Sequence, residues 1–198
     1  MTYRAGLLLT ALVLSATTAQ AQQVAWSVDQ NHSHIGFSAR HLGFAKVRGE
    51  FKKFDAKVTA DAKTGKISAL EATVDANSVD TDNEKRDNHL RGDDFFAASQ
   101  HGQLKLVLKS IAWKGSEFTA TVALTIRGTT KDVVFKGELL GVQTVNFGNG
   151  AHARAAYEAK AKINRKDFGL KFAGLAEGIS IVSDDVEITL EAEMVSSK

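Results

Sequence analysis

The first residues in this chain whose types and spacing suggest chemistry are two histidines, His32 and His34. On a strand, residues two apart share a face, and zinc sites use such pairs. Here that face is opposite Phe37, and local sequence places no third ligand. No metal is therefore expected, and the pair reads as solvated or turn-bonding. The chain also has no cysteine, which excludes disulfides, iron–sulfur clusters, thiol nucleophiles and cysteine-bound zinc. A second pair stands at strand ends. His41 shares the parity of Ile35, Phe37 and Ala39, and Arg165 that of Ile163. A His and an Arg at a barrel mouth could hold the polar or phosphate head of a ligand. The alternative is that Arg165 pairs with Asp167 or with a strand-end carbonyl. Glycine-rich phosphate loops, a GxSxG elbow and basic–aromatic stripes are missing.

The elements that position these residues show in the hydrophobic period, which is two over most of the chain. Ile35, Phe37 and Ala39 alternate with Gly36, Ser38 and Arg40, and Leu70, Ala72, Val74 and Ala76 with Glu71, Thr73, Asp75 and Asn77. The same pattern runs through residues 104–109, 118–126, 133–139, 157–163 and 186–194. Val47, Gly49 and Phe51 form a further strand. At Lys52-Lys53 the phase slips, and Phe54, Ala56 and Val58 continue on the other parity, as a bulge or sharp bend would require. About eight such strands predict an all-β, antiparallel sheet closed into a single barrel, since closure removes exposed edges. A two-sheet sandwich is the alternative. Thr81-Asp82-Asn83-Glu84 has capping-box spacing and predicts one short helix near residues 82–90. Residues 168–181, apolar and glycine-rich, have the character of a lid or plug, or of an ordinary crossover loop.

If the apolar faces point inward, the strand carboxylates Glu50, Asp75, Glu117, Glu138, Glu158, Glu187, Glu191 and Glu193 point out. No inward pair of acids is then available for acid/base catalysis. A binding protein without a cofactor is expected rather than an enzyme. The inward positions mix phenylalanine with small residues such as Ala39, Ala72, Ala120, Ala159 and Ala192, which fill space poorly and favour an apolar cavity. A filled barrel is the other outcome.

Composition narrows the setting. The 198 residues carry 25 Lys+Arg against 23 Asp+Glu, a net charge of +2. That balance provides no field for nucleic acid. There is no proline, so turns fall to the 16 glycines and to Asn and Asp. The N-terminus carries Arg4, an apolar run over residues 7–14, and Ala19-Gln20-Ala21. This is the pattern of a secretory signal peptide cut near Ala21/Gln22, too short to span a membrane. Residues 1–21 are read as the leader and 22–198 as one domain, soluble in the periplasm.

The blocks VDQNHSHIGFSARHLGFAKVRGEF, SVDTDNEKRDNHLRGDDFF, ALTIRGTTKDVVF, INRKDFG and SDDVEITLEAE together resemble the YceI-like family. The matching positions include Asp29, His32, Ser33, Phe37, His41, Gly49 and Phe51, then Thr81, Arg86, Asp87, Phe95 and Phe96, and later Gly128, Arg165, Asp167, Phe168 and Gly169. His101-Gly102 and Asp132 depart from proline-containing sites of the family. The resemblance implies a lipocalin-like barrel that carries an isoprenoid or other long-chain lipid, of the polyprenyl phosphate or isoprenoid quinone class, without turnover. An envelope-stress role, and an enzyme in which His41 acts as base on such a lipid, stand as alternatives, and a homodimer is left open. The residues expected to form the site are Phe37, His41, Phe51, Phe95, Phe96, Leu106, Leu124, Ile126, Ile163, Arg165, Phe168 and Phe172.

Overall fold

The computed structural model describes residues 22–148 and 150–197; the expected leader at 1–21 lies outside them. The alternating segments become β1 (Gln23–Val28), β2 (His34–His41), β3 (Ala45–Phe51), β4 (Phe54–Asp61) and β5 (Ile67–Asp75). After the two-residue β6 (Val79–Asp80) comes helix α1 (Glu84–Arg91), then β7 (Gln103–Lys114), β8 (Glu117–Ile126), β9 (Thr129–Asn146) and β10 (Ala151–Asn164). A short hairpin, β11 (Leu175–Ala176) and β12 (Ile179–Ser180), precedes the final long strand, β13 (Val182–Ser196).

The ladder runs β1-β4-β5-β7-β8-β9-β10-β13, and β13 pairs back onto β1, so eight antiparallel strands close a barrel. β13 spans two partners. Its first part pairs with β2, from Val182↔His41 to Glu191↔His34, and its end with β1, from Met194↔Val28 to Ser196↔Trp26. β1 and β2 thus line up as successive partners along β13, separated by a 3-10 turn at Gln30–His32. The Asp29 carboxylate caps that turn, accepting from the Asn31 N–H at 3.0 Å. This break corrects the shared-face reading of the two histidines: His32 sits in the turn, and only His34 is on a strand.

The phase slip at Lys52-Lys53 has a similar origin. β4 enters the closed barrel against β1 and β5, whereas β3 stays with β2 and ends on β6. Each half buries its own apolar set, so the parity has to change between them. Because β3 leaves the ring, one end of the barrel is covered by α1 and the Phe95-Phe96 segment. The Phe96 ring meets Phe51 edge-on at 5.5 Å. We call this end the mouth.

The helix forms where expected, but its cap is Asn83, whose side chain accepts from the Arg86 N–H at 3.0 Å. Thr81 lies outside the helix. Its N–H and hydroxyl both donate to buried Asp87, and Arg86 donates to its hydroxyl and carbonyl. Arg91 donates to the Asn77 and Val79 carbonyls. These bonds fasten α1 to the residues around β6, despite its largely polar surface.

The opposite end is sealed by aromatics. Trp113 and Phe118 lie 4.9 Å apart, the Trp113 indole donates to the Ile67 carbonyl, and the Tyr157 hydroxyl donates to the Gly65 carbonyl at 2.6 Å. Burial pushes the Tyr157 pKa well above its ordinary value. The β4–β5 turn at this end is held by Asp61, which accepts from the Thr64 hydroxyl and the Thr64 and Lys63 N–H groups. Those bonds, the Thr64 hydroxyl first, hold the Asp61 pKa below the usual 3.8. A carboxyl lowered on folding contributes stability that is complete above its unfolded pKa and fades as pH falls through the folded one. The urea midpoint should therefore drop below about pH 4. Asp61→Asn should show a smaller loss between pH 7 and pH 3 than the native chain.

Candidate functional site

The inward faces surround two apolar hollows on the barrel axis, of about 110 Å³ towards the mouth and about 100 Å³ towards the sealed end. Leu106, Phe135 and Leu190 border both, forming a waist between them. Arg165 is the only polar side chain lining the first among the described residues, and Tyr157 the only one lining the second. None of the eight outward carboxylates lines either hollow.

Ten of the twelve expected residues line the upper hollow: Phe37, Phe51, Phe95, Phe96, Leu106, Leu124, Ile126, Ile163, Arg165 and Phe168. Each of the strand residues arrives by alternation, while Phe168 closes the mouth from the 3-10 turn at Arg165–Phe168, where it is 1% exposed. His41 and Phe172 lie instead on an open groove beside the mouth. The groove and the hollow share Phe37, Ala39, Leu90, Phe95 and Val182, so the passage between them runs past these five residues. Phe172 stacks on Phe95 at 5.2 Å, and His89 meets both rings edge-on.

Sequence reasoning left several lining residues out of the site. Ile35, Leu104, Phe135, Val186 and Leu190 carried the inward parity and could have been included from it. Leu90 and Leu170 gave no periodic signal, because one sits on a mostly polar helix and the other in an irregular segment. Of the small inward residues, Ala39 borders the upper hollow and Ala120, Ala159 and Ala192 the lower.

Arg165 is 3% exposed, and its bonds account for that burial. Nε donates to the Ser183 carbonyl, one terminal nitrogen to the Leu170 carbonyl, and the other to the Asp184 carboxylate at 3.0 Å. The partner is Asp184 rather than Asp167. Asp184 also accepts from Lys166, and that bond leads the effects holding its pKa below the ordinary carboxylate range. The guanidinium therefore ties residue 170 and the start of β13 to the end of β10. Removing it orphans two carbonyls beside the hollow, so Arg165→Ala should destabilise the chain by about 2 kcal/mol in urea unfolding. His41 is anchored to the residue that precedes β13, its Nδ1 lying 3.0 Å from the Ile181 carbonyl. It is exposed and faces the groove.

On the outer wall, Asp29, His32 and Glu193 bring ligand-type atoms within 4.8 Å of one another. Glu193 is a partner that local sequence could not supply. Arg154 already stands among them, 2.6 Å from Asp29 and 2.8 Å from Glu193. Burial works to raise the Asp29 pKa, but hydrogen bonds from His32 and Asn31 outweigh it, and the net shift is downward. His34 turns to Glu50 at 2.8 Å.

Against known proteins, residues 26–194 match the profile of the YceI-like domain. The chain is 32% identical over 193 residues to the YceI protein of Escherichia coli O157:H7, covering 98% of this chain and 97% of that one. The crystal structure of a Campylobacter jejuni YceI protein superposes with a TM-score of 0.68 at 30% identity, covering 80% and 90% of the two chains. A polyisoprenoid binding domain from Saccharophagus degradans shares the fold, with a TM-score of 0.58 at 15% identity over 88% of this chain and 99% of that one.

Proposed function

The chain belongs to the YceI-like domain family, and from that membership we propose that it binds and carries an isoprenoid lipid, with the apolar tail inside the barrel. The observation that carries this reading is the carbon-lined axis, closed at one end and reached at the other through a groove. Burying hydrocarbon there gains about 0.8 kcal/mol per carbon, or roughly 4 kcal/mol for each five-carbon isoprene unit before ordering costs. A tail longer than the upper hollow reaches the lower one by displacing the waist of Leu106, Phe135 and Leu190. The head, a phosphate or a quinone ring, stays at the mouth. The linings of the two hollows hold no carboxylate or histidine to move a proton beside the tail, the histidines His41 and His89 standing outside them in the groove, which supports binding over catalysis. The carrier works in the periplasm once residues 1–21 have been removed.

The test is native mass spectrometry with lipid extraction on protein recovered from its own envelope fraction. A stoichiometric adduct of prenyl-lipid mass is expected, on a chain whose mass begins at Gln22. Protein that is consistently free of lipid, and that takes none up from detergent-solubilised polyprenyl phosphate or quinone, overturns the proposal.

A further inference from the structure

We propose that the mouth end of the barrel seats on an anionic lipid bilayer, with Phe44, Leu175 and Ile179 entering its interfacial layer. The purpose of this contact rests on the carrier reading, but its geometry does not. These three side chains are 73%, 65% and 52% exposed. Single exposed apolar residues are ordinary, whereas a cluster of them marks an interaction surface. They cluster because the ladder between β2 and β13 runs on past its ends. Val182 pairs with His41, the Leu42 N–H donates to the Ile181 carbonyl, and the Ile181 N–H donates to the Gly174 carbonyl. The β2–β3 turn carrying Phe44 is thereby held beside the β11–β12 hairpin.

Two features favour a fluid surface over a protein partner. In the hairpin Leu175 pairs with Ser180 and Ala176 with Ile179, so Leu175 and Ile179 project from opposite faces. A rigid partner would cover one face and leave the other wet, whereas entry tip-first into an interfacial layer covers both. The three side chains also supply only a few hundred Å², well short of the ~800 Å² per partner of a stable protein interface. That is enough for reversible interfacial binding when charge assists.

Charge is arranged to assist. The groove that leads from the passage towards this tip is lined by Arg40, His41, Lys85, Arg86 and His89, and among the described residues no carboxylate lines it. Asp94 lies nearby, bonded to His89, and Glu177 is in the hairpin turn itself. Cations at such a rim strengthen attraction to anionic headgroups, and the docked barrel would present its mouth directly to lipids in the bilayer.

The experiment is flotation of the full chain, after its processed mass is checked, with vesicles of phosphatidylethanolamine and phosphatidylglycerol in a three-to-one ratio. Phosphatidylcholine vesicles serve as the comparison. Binding is expected to the anionic vesicles and to weaken with salt. The triple change Phe44→Asp, Leu175→Asp and Ile179→Asp should reduce it at least about tenfold. Glu177→Lys should strengthen it several-fold. Phe147→Asp, changing a 79% exposed ring at the sealed end, should leave it unaltered. Uptake of polyprenyl phosphate from detergent, read by native mass spectrometry, tests the carrier reading separately. Uptake without vesicle binding overturns the docking proposal alone. Vesicle binding without uptake of any prenyl lipid upholds docking and removes the carrier reading. If sedimentation shows a dimer that the triple change dissolves, with no vesicle binding, the patch is a contact between copies and the proposal fails.

Discussion

Ala39→Trp is expected to strip the protein of much of its lipid adduct, weakening its affinity for the lipid at least about tenfold, equivalent to ~1.4 kcal/mol. Ala39 borders both the upper hollow and the groove, and it is the smallest side chain of the five that do. An indole there would fill the passage and part of the hollow behind it. The residue is half-buried on β2, between Val47 and Val186 on the neighbouring strands, so the added ring can lean towards the groove. The stability cost should stay near ~1 kcal/mol. That separation matters. Leu124→Asp would also abolish binding, but Leu124 is 2% exposed, and a carboxylate at that depth threatens the fold itself. A native urea midpoint with full adduct in Ala39→Trp would show that the cargo does not use this passage or this hollow.

Gly137→Ala should be the most damaging single-methyl change in the chain, costing about 3 kcal/mol or more in urea unfolding. Gly137 lies on β9 between Phe118 of β8 and Ala159 of β10. A Cβ placed there would stand 2.1 Å from the Glu158 carbonyl oxygen, 2.6 Å from the Phe118 ring and 2.9 Å from the Ala159 Cα. Two of those neighbours are backbone and cannot rotate away. The register between β9 and β10 also shifts close by, at Ala156/Tyr157. β9 bends around this point, and the missing side chain lets adjacent strands approach. An alanine variant as stable as the parent would mean that the wall can relax there, contrary to this account.

The barrel was legible because one face of each strand is apolar, which writes a period of two into the sequence. The slip at Lys52-Lys53 could likewise be read as a bend, since only a change of buried face explains it. What stayed hidden depends on partners far away in the chain. Arg165 bonds Asp184, and His32 and Arg154 meet Glu193, through contacts that β13 makes only once it has crossed the sheet. The helix cap was misplaced by two residues because the Thr81 hydroxyl, a good cap by type, is held by Asp87 and Arg86. The groove was not foreseen at all. Beyond the alternating residues of β2 and β3, it is built by α1 with the residues leading into it, Phe95 and residues 172–182, none of which share a period. Leu90 and Phe172 reach it through tertiary packing alone.

The closing seam of the barrel has a consequence for the order of events in synthesis. Ser197 and Ala25, 172 residues apart, are joined by a hydrogen bond beside the β1–β13 pairing. The strand that locks the ring is made after every other strand, so a nascent polypeptide has no finished barrel to adopt. Pairings of such long range are also slow to form. Together these delays keep the emerging chain open until its last strand has been made.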